Sequence, residues 1–283
     1  MVLVSYLTYF EFMAIGLGVG AFGTLIGAGG GFVLMPILIL LYPEQSPDLL
    51  TSVSLAVVFL NALSGSEAYA RMRRIDYRSA VVFALATIPG SVLGAVNTAF
   101  VPRRLFDAIL AVALIAGAIA LMVKPGAKPA APRAKPGSRI ALGRQVTRHI
   151  VEANGVSHEY TFNIWLGAAV SVAVGYISSF LGIGGGIIHV PVLVYLLNFP
   201  VHIATATSHF ILVIMALAGT VTHMITGAFS HGVHHIVALA IGVIAGAQIG
   251  ALASDRIKGK WIIICLAGAL GLVGVRILLL VVF

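Results

Sequence analysis

An all-α polytopic membrane protein made of two repeated halves is the fold class this sequence predicts, and three observations predict it. Hydrophobic residues make up 60% of the 283 positions and charged residues 9%, with a mean hydropathy of +1.07. Soluble domains carry about 25% charged residues, and a chain of this length in water could not hide so much apolar surface. Second, the apolar residues fall in runs at about 6–42, 49–70, 79–101, 105–123, 161–198, 203–228, 232–254 and 261–283. Most of these are near the roughly 20 residues that cross the hydrocarbon as a helix. Third, the two halves match each other residue by residue.

The match is clearest at glycines and prolines. Gly27, Gly29, Gly30, Gly31 and Pro36 align with Gly182, Gly184, Gly185, Gly186 and Pro191 at an offset of 155. One residue of slippage later, Thr51-Ser52 meets Thr207-Ser208, and Gly90 and Gly94 meet Gly246 and Gly250. Duplicated halves are a common plan for secondary transporters. The chain therefore divides into a first transmembrane repeat at 1–123, a basic linker at 124–160 and a second repeat at 161–283.

Each repeat opens with a run too long for one crossing. At 1.5 Å per residue, the runs 6–42 and 161–198 would be about 55 Å long if continuously helical. Three consecutive glycines each cost about 1 kcal/mol against alanine in a helix, so each run is expected to break there into two pieces. Three transmembrane helices follow in each half. Gly16, Gly20, Gly242, Gly246 and Gly250 recur at helical spacing and read as close-packing positions instead.

The linker is rich in proline, lysine and glycine from Lys124 to Gly137, and reads as a flexible tether. Beyond it, apolar residues alternate from Val146 to Glu152 and from Val156 to Tyr160, around Asn154-Gly155. That pattern predicts a small extramembrane hairpin.

Charge argues for an inverted arrangement. The net charge of +8 is not spread as a nucleic-acid surface would be; Arg71, Arg73, Arg74 and Arg78 form one cluster, and another runs from Lys124 to Arg148. If every run crosses once, Arg103, Arg104, Arg256, Lys258 and Lys260 all face outward. If the broken runs return to the side they entered, only Arg103 and Arg104 do, which fits the positive-inside rule better. The halves are then inverted and both termini lie outside. No Lys or Arg precedes the first apolar run, so it reads as part of the mature protein. The single cysteine, Cys265, allows no intramolecular disulfide.

Broken helices suggest a site. Freed backbone N–H groups at membrane depth need partners or a water-filled cavity, and helix N-termini attract anions. Gly29, Gly30 and Gly31, facing Gly184, Gly185 and Gly186, are candidates to enclose an anion near the midplane, with Thr51, Ser52, Thr207 and Ser208 adding hydroxyls. A dinucleotide pattern, Gly18-x-Gly20-x-x-Gly23, lies inside a membrane run, has no counterpart in the second half, and carries no weight.

At these paired glycine segments, the following Thr-Ser pairs and the two-half plan, the sequence resembles the TauE/SafE sulfite-exporter family, also called toluene sulfonate uptake permeases. The resemblance covers nearly the whole chain outside 124–160. It implies carriage of sulfite, organosulfonates or related small organic anions, coupled to protons, in the inner membrane of a bacterium. The halves depart from each other where Val53 and Ser54 stand around the position of His209, and Glu67 stands at that of His223.

Ionisable groups inside membrane runs mark pathways or relays. His189, His209 and His223 are candidate proton carriers, because histidine charges near neutral pH; the alternative is a neutral histidine bridging helices. Glu67 is a fourth candidate, although Arg71 at i+4 offers it an ordinary ion pair. His231, His234 and His235 cluster at a turn and could ligate a transition metal, but a polar loop is the simpler reading, so no metal or cofactor is expected. A metal-cation permease would need a carboxylate or Met/His cage at the breaks, where only Met35 and His189 are available. An intramembrane enzyme would need a nucleophile motif, and none of the familiar ones occurs. The expected partners are a small anion, protons and the bilayer; the sequence allows a homo-oligomer without specifying one.

Overall fold

The computed structural model describes residues 2–123, 144–228, 236–254, 256 and 259–282. Its elements are α1 (Val2–Ile26), α2 (Gly31–Leu41), α3 (Pro47–Arg71), α4 (Tyr77–Thr98), α5 (Arg103–Val123), β1 (Gln145–Val151), β2 (Ser157–Asn163), α6 (Ile164–Leu181), α7 (Gly186–Pro191, running on through a π turn, Val192–Leu196), α8 (Val201–Ile225), α9 (Ile236–Ser254) and α10 (Gly259–Val282). Among the described residues six helices are long and apolar enough to cross a membrane: parts of α1 and α9, and the whole of α3, α4, α6 and α8. The chain is an all-α polytopic membrane protein with one small hairpin outside the bundle.

Helices begin and end for local reasons. Ser46 caps α3 by accepting the Leu49 N–H, and Pro47 follows at the first helical position. Asp76 caps α4 and Asn163 caps α6 in the same way. Between α1 and α2 the chain turns with Gly27, Gly29 and Gly30 at φ of 81°, 73° and 77°. Only glycine enters that region without strain, so this is where the helix must stop. Gly182 and Gly184 repeat the device after α6.

Packing runs between the halves more than within them. α1 lies along α9, α4 along α6, α3 along α8 and α5 along α10. Glycines bring the backbones together: a Cβ on Gly242 would stand 2.0 Å from the Met13 carbonyl oxygen, and one on Gly246 2.2 Å from that of Leu17. Gly90 meets Val172, and Gly94 meets Tyr176, across the equivalent seam. The neighbours also give directions. In α1 and α9 the numbering rises together, as it does in α4 and α6. In α3 and α8 it runs oppositely, with Thr51 beside His223, Leu55 beside Gly219 and Gly65 beside His209. α5 and α10 are likewise antiparallel, Gly274 meeting Ala111 and Gly271 meeting Ala118.

β1 and β2 pair antiparallel, from Gln145 with Asn163 to Val151 with Ser157. This hairpin is fastened to one end of the bundle. The Ala153 N–H donates to the Met72 carbonyl, Arg74 pairs with Glu152 at 2.7 Å, and Arg148 lies 3.5 Å from Asp76. Tyr160, Phe162 and Phe199 pack ring against ring beneath it. Arg74 and Glu152 are both buried, and Arg74 also reaches Ser254. Burial pushes the Glu152 carboxyl up, but hydrogen bonds and charge from Arg74 and His158 outweigh it and hold the group below the usual carboxylate range.

Candidate functional site

The two breaks meet in the middle of the molecule. Residues 27–32 and 181–187 are all buried. A Cβ on Gly186 would lie 2.0 Å from the Gly27 carbonyl oxygen and 2.5 Å from the Ala28 Cα, while one on Gly31 would lie 2.7 Å from the Ile183 carbonyl group. The first N–H groups of α2 and of α7, which have no acceptor within their own helices, are thereby gathered into one small region. Gly29 and Gly184 both border Val58 of α3.

Each break is held by the opposite half. The Ser208 hydroxyl donates to the Gly27 carbonyl at 3.2 Å, and the Ser54 hydroxyl donates to the Gly182 carbonyl. Of the other hydroxyls expected at the site, Thr51 donates to the carbonyls of Pro47 and Asp48, and Ser52 to that of Leu49, all in their own helix. Thr207 accepts the Asp76 N–H, which ties α8 to the loop under the hairpin. In this structure the four Thr-Ser residues fasten helices and glycine carbonyls.

Three histidines are buried in the bundle, two of them near this centre. His209 Nε2 lies 3.2 Å from the Thr24 hydroxyl, and its ring meets Tyr69 edge-on at 5.6 Å. Thr24 itself donates to Asn61 Oδ1 at 3.0 Å, so the shared hydrogen between His209 and Thr24 comes from Nε2. His209 Nδ1 makes no hydrogen bond of ordinary geometry, although the Gly27 carbonyl lies beside the ring, and Asn61 Nδ2 has no partner among the described residues. His189 repeats the logic: Ser171 donates to the Gly167 carbonyl, so Nε2 donates to Ser171 at 3.1 Å and Nδ1 is left open.

His223 sits toward the other end of α8. Its Nδ1 is 3.0 Å from Asp48 Oδ1 and its Nε2 is 3.5 Å from the Thr51 hydroxyl. Thr51 spends its hydrogen on the Pro47 and Asp48 carbonyls and so can only accept at the His223 contact, while Asp48 approaches Nδ1 without the geometry of a hydrogen bond. Asp48 is part-exposed and lines a cavity of about 300 Å³ with Gln45, Ser46, Leu49 and Thr226. Glu67 stands apart from all three, paired with Arg71 on an exposed face. His231, His234 and His235 lie outside the described residues. Among the described residues no group of three or more metal-ligating side chains occurs.

Thr24, Asn61, Tyr69, Ser171 and Asp48 were not singled out from sequence. Asn61 had a readable signal, an amide deep in an apolar run. Asp48 reads locally as an ordinary first-turn acid, and only the fold brings it to His223.

A model of the sulfite exporter TauE/SafE family matches residues 12–277. The chain belongs to the TauE/SafE family. Its curated relatives include the probable membrane transporter protein YunE of Bacillus subtilis, 30% identical over 94% of this chain and 96% of that protein. A probable membrane transporter protein of Methanocaldococcus jannaschii is 24% identical over 94% and 93%, and one of Xylella fastidiosa is 25% identical over 83% and 81%. No solved structure matches the chain significantly. This TauE/SafE protein is thus a multi-pass membrane transporter, and its paired glycine breaks belong to a chain aligned with its relatives almost end to end.

Proposed function

We propose that the protein is a proton-coupled secondary transporter of a small anion such as sulfite, an organosulfonate or a related organic acid, working in the inner membrane through two inverted halves. The observation that carries this reading is the meeting of the two glycine breaks, which brings the N-terminal ends of α2 and α7 into one buried region with no lysine or arginine among the described residues around it. Helix ends of that kind bind anions without any lysine or arginine.

Inversion is supported by the antiparallel packing of α3 on α8, its counterpart in the repeat, and of α5 on α10. Halves related by an axis along the membrane normal would run these counterparts the same way. The arrangement also gathers Arg71, Arg73, Arg74 and the hairpin at one end, the cytoplasmic end by charge. Arg103, which donates to the Gln45 carbonyl, lies at the other. Gly30, Gly31 and Gly184–Gly186 offer backbone donors to the anion, while the Gly29 N–H is committed to the Gly23 carbonyl until the break opens. His189 and His209, whose Nδ1 atoms make no hydrogen bond, and the His223–Asp48 pair near the outer cavity are the candidate proton carriers. Because the breaks are in contact, the solute passes only when the halves move apart there. Proton and anion then bind together by linkage: an imidazolium favours the anion, and the anion favours the imidazolium.

The test is uptake of radiolabelled sulfite, then a sulfonate panel, into liposomes carrying the purified protein, with and without an imposed pH gradient. Accumulation that follows the gradient supports the reading. Flux that ignores the gradient removes the proton, and absence of flux for every anion removes the cargo class.

A further inference from the structure

On the hairpin end of the bundle, a groove of about 320 Å³ opens between α4 and α6 beneath β1. Its floor is apolar, made by Val82, Ile164, Trp165 and Ala168, and its rim carries Arg144 and Arg148. Arg148 is half-committed, to Asp76 at 3.5 Å and to the Ser79 hydroxyl at 3.2 Å. Arg144 has no carboxylate partner among the described residues, and neither has Arg78. Arg78 stands one helical turn before Val82, hence on the same face of α4. Trp165 is 67% exposed and Leu166 beside it 41%. The groove thus opens sideways, toward the surface that the apolar residues of α4 and α6 present to lipid.

We infer that this groove holds the headgroup of an anionic phospholipid, its phosphate between Arg144 and Arg148 and its acyl chains lying along Val82, Trp165 and Ala168. The chemistry is that of any phosphate monoanion or diester meeting guanidinium groups. The apolar floor and the sideways opening favour a lipid over a free ion, because a soluble phosphate gains nothing from Val82 or Ala168. Basic side chains at the cytoplasmic boundary attract anionic lipids, and an interfacial tryptophan suits the same depth. The leaflet named here rests on the proposed topology; the binding itself does not, and it is measured without transport.

The experiment uses the full chain, purified and stripped of lipid, in native mass spectrometry with equimolar phosphatidylglycerol and phosphatidylcholine. Wild type is expected to retain phosphatidylglycerol in preference. Arg144→Gln and Arg78→Gln, both at exposed positions, should each weaken that preference, about fivefold for the more intimate contact. Their phosphatidylcholine binding and melting temperature should stay unchanged. Equal retention of the two lipids by wild type, or an undiminished preference in the double variant, overturns the inference. Displacement of phosphatidylglycerol by millimolar inorganic phosphate overturns it too, since the groove would then be a soluble-anion site.

Discussion

Replacing Gly186 by alanine inserts one carbon atom where two backbones touch. The new Cβ would lie 2.0 Å from the Gly27 carbonyl oxygen and 2.5 Å from the Ala28 Cα, whereas carbon and oxygen settle at about 3.5 Å. Nothing flexible can give way, because both neighbours are main chain. The two breaks must separate by more than an ångström, or the helices that carry them must tilt. Overpacking of this kind costs about 1–3 kcal/mol and more where the backbone cannot relax. Gly18→Ala is the matched control: no atom lies within 4 Å of its added Cβ, and alanine is the better helix former by about 1 kcal/mol. The assay is melting in detergent alongside liposome uptake for both variants. Gly186→Ala should melt several degrees lower, at about 2–4 °C per kcal/mol, and lose most of its flux. Gly18→Ala should match wild type or exceed it in melting and retain flux. A Gly186→Ala protein that melts and transports like wild type would refute the idea that the breaks form a fitted contact on the transport path.

Asn61→Leu deprives Thr24 of its acceptor and removes an unpartnered amide, so it should cost about 1–3 kcal/mol in stability; if the amide meets the anion, half-saturating sulfite rises about tenfold or more, read from uptake curves. Asp48→Asn leaves His223 without its carboxylate, and uptake should then stop following an imposed pH gradient while anion exchange continues; gradient-driven accumulation at the wild-type level would dismiss the pair as the proton site. Glu152 has a folded-state acidity below its ordinary value of about 4.3, so its contribution is complete above that value and is lost as pH falls through the lower one. Hydrogen exchange in the hairpin, corrected for its intrinsic pH dependence, should accelerate below about pH 4. Glu152→Gln should abolish the acid step and cost about 3–5 kcal/mol by stranding buried Arg74.

Much of this architecture is written locally. Gly27, Gly29 and Gly30 announce a break because no other residue occupies their backbone region cheaply, and α2 and α7 restart on the last glycine of each cluster. The Asn154-Gly155 step between alternating runs likewise marks the hairpin that β1 and β2 form. What could not be read is pairing at a distance. Thr207 looks like a site hydroxyl until the fold sets it under the Asp76 N–H, 131 positions away. Ser54 looks like an arbitrary polar residue until Gly182 arrives beside it. The same limit hid Thr24, which becomes notable only because His209 comes from the other half to join it. Glu67, read as a candidate proton carrier, keeps the i+4 partner its own helix supplies, and that much was local.

The seam between α1 and α9 also sets a timetable for assembly. Met13 and Leu17 find their neighbours in Gly242 and Gly246, about 230 residues later in the chain. At a synthesis rate of roughly 5–20 residues per second, α1 waits in the bilayer for about 10–45 s before its companion exists. Throughout that interval its close-packing glycine stripe faces lipid or a stand-in helix. A chain that stops short of α9 is therefore a substrate for membrane quality control rather than half a transporter, and pulse-chase of truncations ending before and after α9 would separate the two fates.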